Sequence, residues 1–331
     1  MNIDKLKEVL KDQPKFRFKQ CHKAVFFDFA EDWNEVSVLP LELREKLNKE
    51  CSLEIKSEFT ESRNRKTIKA LLILEDEKKI EAVLMRHGNR NTVCVSCQVG
   101  CPLACEFCAT GKMGLTRNLI KEEIIEQVLL FSRYLKKYDE RVTNVVFMGM
   151  GEPFLNYDNV IESIKILNDH QAFNIGVRHI SISTAGLIEG IKRLSKENLQ
   201  VNLAISLHAP NDQLRSELMP VNNQHSLSVL FKAVSDYVEK TNRRVMFEYL
   251  LIKDVNDFEK HALELAQLMK SNKLYMVNLI PYNPTGKFKS SDTRTIENFM
   301  RILDREGINF TQRYKFGKDI KGACGQLAGK K

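Results

Sequence analysis

Five cysteines fall within fifteen positions of the stretch CVSCQVGCPLACEFCATGKMG, residues 94–114: Cys94, Cys97, Cys101, Cys105 and Cys108. Only Cys21, Cys51 and Cys324 lie outside it. Cys101, Cys105 and Cys108 form a Cys-x3-Cys-x2-Cys triplet, and three thiolates on one tight loop suit three irons of a cubane [4Fe–4S] cluster. The fourth iron then has no protein ligand and is open to a substrate. A structural zinc site wants four closed ligands, usually on two Cys-x2-Cys arms, and here Cys94 and Cys97 supply one such arm upstream. Low-potential ferredoxins add a fourth cysteine at a different spacing.

The elements that must hold this loop are legible around it. After residue 90, apolar strand-like runs alternate with amphipathic helical stretches: TVCVSCQ, NVVFMGMGEP, HISISTAG, QVNLAISLHAP, RVMFEYLLI and YMVNLIPYNP are each followed by a helix pattern. Six β–α units with buried-type strands predict an α/β fold with a parallel sheet wound by helices. Four strands run into polar ends, GMGE, ISTAG, SLHAP and IPYNP, and in α/β barrels the site sits at those ends. Before residue 90, IDKLKEVLK and LELREKLNKE read as helices, and SLEIKSEF, TIKALLILE and KIEAVLMR as a small antiparallel sheet.

Composition bounds the partners. The 331 residues carry a net charge of +8, with 43% hydrophobic and 28% charged residues, ordinary for a globular protein. No apolar run approaches the roughly 20 residues that span a bilayer, and the charged N-terminus has no signal-peptide core. A cytoplasmic location is expected, where clustered cysteines bind metal or catalyse rather than form a disulfide framework. Basic groups at 19–23, 62–69, 86–90, 240–244, 287–289 and 313–321 suit a polyanion, since Lys and Arg release counterions from phosphates. The same groups would also serve as solvated helix faces.

The triplet, placed after the first strand of a β/α chain, resembles the radical S-adenosylmethionine superfamily. With its flanks C-V-S and Q-V-G-C, then GMGEP (149–153), ISTAG (182–186), SLHAP (206–210), NLIPYNP (278–284) and the C-terminal ACGQLAG in order, the chain resembles the RlmN/Cfr family of RNA adenine methyltransferases. That resemblance implies a partial (β/α)6 TIM-like barrel over 86–312, a helical and β accessory domain over 1–85 that helps place RNA, and a C-terminal segment over 313–331 carrying the methyl-carrier cysteine. It implies two cofactors, the [4Fe–4S] cluster on Cys101, Cys105 and Cys108, and S-adenosylmethionine. Gly151 and Glu152 would meet the amino group of S-adenosylmethionine. Ser183, Ser206, Leu207, His208 and Asn283 would meet its carboxylate, ribose and adenine.

The resemblance also implies the chemistry. An adenine amidine carbon is a poor nucleophile, so a radical must add to the ring. Cys324 would take a methyl group from one S-adenosylmethionine, lose a hydrogen atom from that group to the radical made from a second, and bond to the base. Cys94 would resolve the crosslink through a transient disulfide with Cys324. Glu81, thirteen residues before Cys94, would accept the ring proton. The substrate implied is 23S ribosomal RNA, with tRNA as a second. The donor would be a flavodoxin or ferredoxin, and the working state a monomer.

Three positions depart from the family pattern. Cys97 stands where many relatives have Ser and is expected to be a spectator. Lys321 replaces an acid in DIKGACGQL. Pro153 after GMGE points to methylation at carbon 2, whereas Phe316–Gly317 is closer to the branch that methylates carbon 8. A non-methylating radical enzyme, an electron carrier and an RNA-binding module are the other readings, and an electron carrier would have no use for Cys324.

Overall fold

A computed structural model of the chain describes residues 3–313 and 317–329, without the side chain of Lys318. Phe316, cited above for the carbon-8 branch, lies outside the described residues. The chain opens with helices α1 (Ile3–Val9), α2 (Lys15–Phe26) and α3 (Leu41–Glu50). Strands β1 (Ser57–Glu61), β2 (Thr67–Ile73), β3 (Lys79–His87) and β4 (Arg90–Cys94) then run antiparallel to one another. A short hairpin of β5 (Gln98–Cys101) and β6 (Gly114–Asn118) brackets the cysteine loop. Helix α4 (Lys121–Lys136) follows, started by Glu123, whose carboxylate accepts the Ile120 N–H at 3.0 Å.

From β4 onward every pairing in the main sheet is parallel: β7 (Asn144–Phe147), β8 (Ile180–Thr184), β9 (Asn202–Ser206), β10 (Val245–Leu251), β11 (Tyr275–Pro281) and β12 (Phe310–Gln312) join in that order. Crossovers run through α5 (Tyr157–Asn168), α6 (Ile188–Leu194), α7 (Asp212–Leu218) and α8 (Leu227–Thr241), α9 (Glu259–Met269), and α10 (Thr293–Arg305). Residues of β7 to β11 line one shared cavity, so the sheet is curved: an α/β partial barrel. The short β12, a seventh parallel strand, was not expected. Three residues with one half-buried aromatic carry little periodic signal.

The expected boundary at 85–86 falls inside β3. This strand hydrogen-bonds to β4 from Val83↔Cys94 to His87↔Arg90, so the accessory strands extend the barrel sheet. Continuity also holds in the core. Leu6, Trp33 and Leu47 belong to the same buried apolar cluster as Val145, Ile182 and Val277. Arg133 on α4 ties the first segment down, donating to the carbonyls of Leu53 (2.8 Å) and Ala30 (2.5 Å). Among the described residues no helix is long and apolar enough to cross a membrane.

Candidate active site

Cys101 ends β5, and Cys105 and Cys108 follow on the loop, all three half-buried and facing one cavity at the C-terminal ends of the parallel strands. Among the described residues no three His, Cys, Asp or Glu side chains converge closely enough to grip a single ion. The three thiols line one cavity, and a cubane cluster would take each of them on a different iron.

Ser96 connects this loop to its neighbours. Its hydroxyl donates to the Glu81 carbonyl (2.6 Å) and accepts the Met150 N–H (2.9 Å), while Gln127 of α4 grips its backbone on both sides. The GMGE turn is thereby pressed against the cysteine strand, a packing only glycine permits. A Cβ on Gly149 would meet Val95 carbonyl atoms at 2.7 Å, and Gly151, with φ +102°, would drive one into Gln98 at 2.6 Å.

Glu152 is buried. Its carboxylate accepts N–H groups from Phe154 (3.1 Å) and Ala185 (2.8 Å), tying GMGE to ISTAG. Burial raises its pKa to about 7, against the pull of those hydrogen bonds, so a cation placed there would favour the ionised form. Ser183 and Ser206 face each other at 3.5 Å. His208 is held at φ +57°, its Nδ1 accepting the Leu250 N–H at 3.2 Å. That bond leaves Nε2–H as a donor. Burial lowers its pKa to about 3, and the ring is neutral at working pH.

Gly151, Glu152, Ser183, Ser206 and His208 all line the cavity with the three cysteines. Leu207 does not: its side chain is fully buried in the core, and its carbonyl is taken by Arg215. In an alternating strand end, the residue between two cavity-facing ones points the other way. Asn283 lines the adjoining space with Cys94, Cys324 and Arg313. The two spaces adjoin, with Met148, Ile280, Arg313, Cys324 and Leu327 lining both.

Cys324, 230 residues from Cys94 in sequence, therefore shares a cavity with it and with the cysteine loop. Cys94 is buried on its strand, whereas Cys324 is reached by solvent although protein surrounds it; both are free thiols. The C-terminal segment is held to the loop by Ala109 N–H donating to the Gly325 carbonyl (2.8 Å) and the Thr110 hydroxyl donating to the Leu327 carbonyl (2.7 Å). Burial pushes the Cys94 thiol up to about 12 and raises that of Cys324, while Arg313 opposes both.

Arg313 and Glu248 were not singled out from the sequence. Arg313 donates to Met148 Sδ at 3.5 and 3.6 Å and stands 4.0 Å from Glu248 Oε2. Asn278 Nδ2 donates to the same Oε2 at 2.7 Å, and Oε1 of this buried carboxylate has no hydrogen-bond partner among the described residues. An acid inside the apolar strand VMFEYLL was the available signal. Arg215 is the other: fully buried, it donates to the carbonyls of Ala185, Ser206 and Leu207 and so holds two cavity-lining strand ends together.

Glu81 departs from its expected setting. Its side chain, 1% exposed, lines neither space. Oε1 is paired with Lys69 Nζ at 2.6 Å, and Oε2 accepts the N–H groups of Ala328 (2.6 Å) and Gly329 (3.0 Å). Alternation along β3 puts it on the same face as Val83 and Met85, which do line the cavity, but the C-terminal segment covers it. Cys97 is buried beside the loop and donates its N–H to the Met150 carbonyl.

The Radical SAM superfamily model matches residues 95–266. The chain is 46% identical to a probable dual-specificity RNA methyltransferase RlmN of Dictyoglomus thermophilum, over 98% of this chain and 94% of that one. It is 44% identical to the ribosomal RNA large subunit methyltransferase N of Nitrosopumilus maritimus, over 95% and 92%. The crystal structure of a radical SAM methyltransferase from Sphaerobacter thermophilus superposes with a TM-score of 0.94 at 42% identity, covering 100% of this chain and 98% of that one.

Proposed function

Because the chain belongs to the radical SAM superfamily, within the RlmN-type RNA methyltransferases, we propose that it methylates carbon 2 of an adenosine in 23S ribosomal RNA and in tRNA. The observation that carries this reading is the shared cavity of Cys324, Cys94 and the cysteine loop. An electron carrier would have no need to bring two further thiols there.

Cys101, Cys105 and Cys108 would hold the [4Fe–4S] cluster, and the GMGE turn, Ser183, Ser206 and His208 would hold S-adenosylmethionine. When bound, the two supply the one-electron chemistry that an unactivated ring carbon requires. The protein's share is to hold the reacting groups and move protons. Cys324 must shed its proton before its sulfur can carry the methyl group as a thioether, and Arg313 favours that loss. Once Cys324 is bonded to the base, the Cys94 thiolate would attack the Cys324 sulfur. An S–S bond forms as the bond from Cys324 to the base-borne CH2 carbon breaks; that bond's electron pair passes to the carbon, which takes up a proton to become the methyl group as the base leaves. Asn283, which lines the thiol side of the cavity, would meet S-adenosylmethionine. The proposed partners are the two RNAs and a flavodoxin- or ferredoxin-type donor, the proposed state a monomer, and the proposed compartment the cytoplasm.

The test is anaerobic reconstitution with S-adenosylmethionine and mapping of Cys324 by mass spectrometry, followed by nucleoside analysis of treated RNA. Methyl on Cys324 and 2-methyladenosine in RNA are expected. Replacing Cys94 with Ala should leave Cys324 methylated and trap RNA on the protein. An unmodified Cys324, or 8-methyladenosine, would overturn the corresponding part.

A further inference from the structure

From the unpartnered oxygen of Glu248 we infer that this side chain binds the ribose diol of S-adenosylmethionine. The inference rests on that molecule occupying the cavity, as proposed above. Glu248 is 3% exposed and lines the cavity together with Ser183 and Ser206. Its Oε2 is engaged: Asn278 Nδ2 donates to it at 2.7 Å, and Arg313 stands 4.0 Å away. Oε1 has no hydrogen-bond partner among the described residues. Burial raises the pKa of this carboxyl, while Arg313 and Asn278 oppose the rise and favour a pure acceptor. A buried carboxylate oxygen left unbonded is costly, so the site is built to receive a donor there.

The neighbours of Glu248 fix where that oxygen stands. Ser206, Glu248, Asn278 and Thr311 are register partners in turn on β9, β10, β11 and β12. Thr311 Oγ1 donates to Asn278 Oδ1 at 3.0 Å, which sets the amide that in turn holds Glu248 Oε2. The Glu248 carbonyl accepts the N–H groups of Leu207 (3.1 Å) and His208 (3.2 Å), pinning it to the SLHAP end. Register partners on adjacent strands lie about 4.8 Å apart on one face. Ser183, 3.5 Å from Ser206, extends the row of oxygens to β8. A vicinal diol matches such a row, because each hydroxyl can donate to the carboxylate and accept from a serine. An ammonium or an adenine amino group only donates. The ammonium is moreover assigned to the GMGE turn after β7, on the far side of β8 and β9 from Glu248.

The experiment pairs a missing hydroxyl with a missing charge. Cluster-loaded, full-length protein is titrated anaerobically with S-adenosylmethionine and with its 2′-deoxy and 3′-deoxy analogues, and affinity is the readout. Glu248→Gln keeps the shape of the side chain, but its amide must give its oxygen to Asn278 and so presents NH2 where Oε1 stood. Wild type should bind S-adenosylmethionine about tenfold more tightly than at least one analogue. Glu248→Gln should lose about tenfold for S-adenosylmethionine and under about threefold for that analogue, since the bond is already absent. A side chain that merely supports the fold would lose equally for all three, and that result overturns the inference. Unchanged affinity for S-adenosylmethionine in the variant overturns it too, and is the outcome expected if Oε1 serves the RNA base. Thr311→Val, at the exposed end of the relay, should show the same pattern more weakly, and equal losses there overturn the inference even if Glu248→Gln fails to load its cluster. Wild-type protein that binds none of the three would overturn the proposed function and this inference with it, whereas equal losses beside normal wild-type binding overturn the inference alone.

Discussion

Arg313 stands where four titrating groups meet: Cys94, Cys324, Glu248 and its own guanidinium. Desolvation by the surrounding protein raises both thiols, and the half-buried Arg313 guanidinium opposes it. Replacing Arg313 with Gln should raise the Cys324 pKa further and slow its alkylation at pH 8 by about tenfold, the equivalent of one pKa unit. Glu248→Gln should act in the opposite direction, because Glu248 raises the Cys324 pKa. The rate of Cys324 alkylation by iodoacetamide against pH reads both signs. Glu152 gives a second dependence. Its carboxyl titrates near 7, and the ionised form suits an ammonium ligand, so S-adenosylmethionine should bind more tightly as pH rises from 6 to 8. Calorimetry of the loaded protein measures this, and Glu152→Gln should flatten the slope.

At the scale of elements, the GMGE turn works because backbone meets backbone. Gly149 lies so close to Val95 and Ser96 that a methyl group there would have to displace the cysteine strand. Gly149→Ala should cost about 1–3 kcal/mol, visible as a lower Tm, and weaken S-adenosylmethionine binding in the same variant. The rhythm of apolar strands and amphipathic helices revealed the six long units, since period and length agree there. Strand β12 escaped notice, as its pairing with β11 at Val277↔Phe310 to Leu279↔Gln312 comes from a neighbour in space rather than from its own pattern.

At the scale of the whole molecule, the described residues join in a ten-stranded main sheet and a core shared by the first helices and the barrel. Removing residues 1–87 would strip β3 from β4 and delete Glu81 and Lys69, and with them the hydrogen bonds to Ala328 and Gly329. Scanning calorimetry of the full chain should show one cooperative transition, and the truncated chain should lack it. The net charge of +8 makes RNA binding salt-dependent, with log K falling by about 0.7–0.9 per phosphate contact for each tenfold rise in salt. Binding at several salt concentrations gives that slope.

The sequence by itself determined the groups that do chemistry and their order. The Cys101, Cys105, Cys108 spacing is local, and a loop of eight residues keeps its three thiols together however the rest folds. The strand ends GMGE, ISTAG and SLHAP were legible because each adjoins a strongly periodic element. What only the tertiary structure decided depends on contacts between distant segments. The meeting of Cys324 with Cys94 is one, and the Arg313–Glu248 pair is another. The third is Glu81, whose register with Cys94 was readable but whose partners, Ala328 and Gly329, lie 247 and 248 residues away. Burial and pairing set what a carboxylate or thiol can do, and both belong to the folded chain.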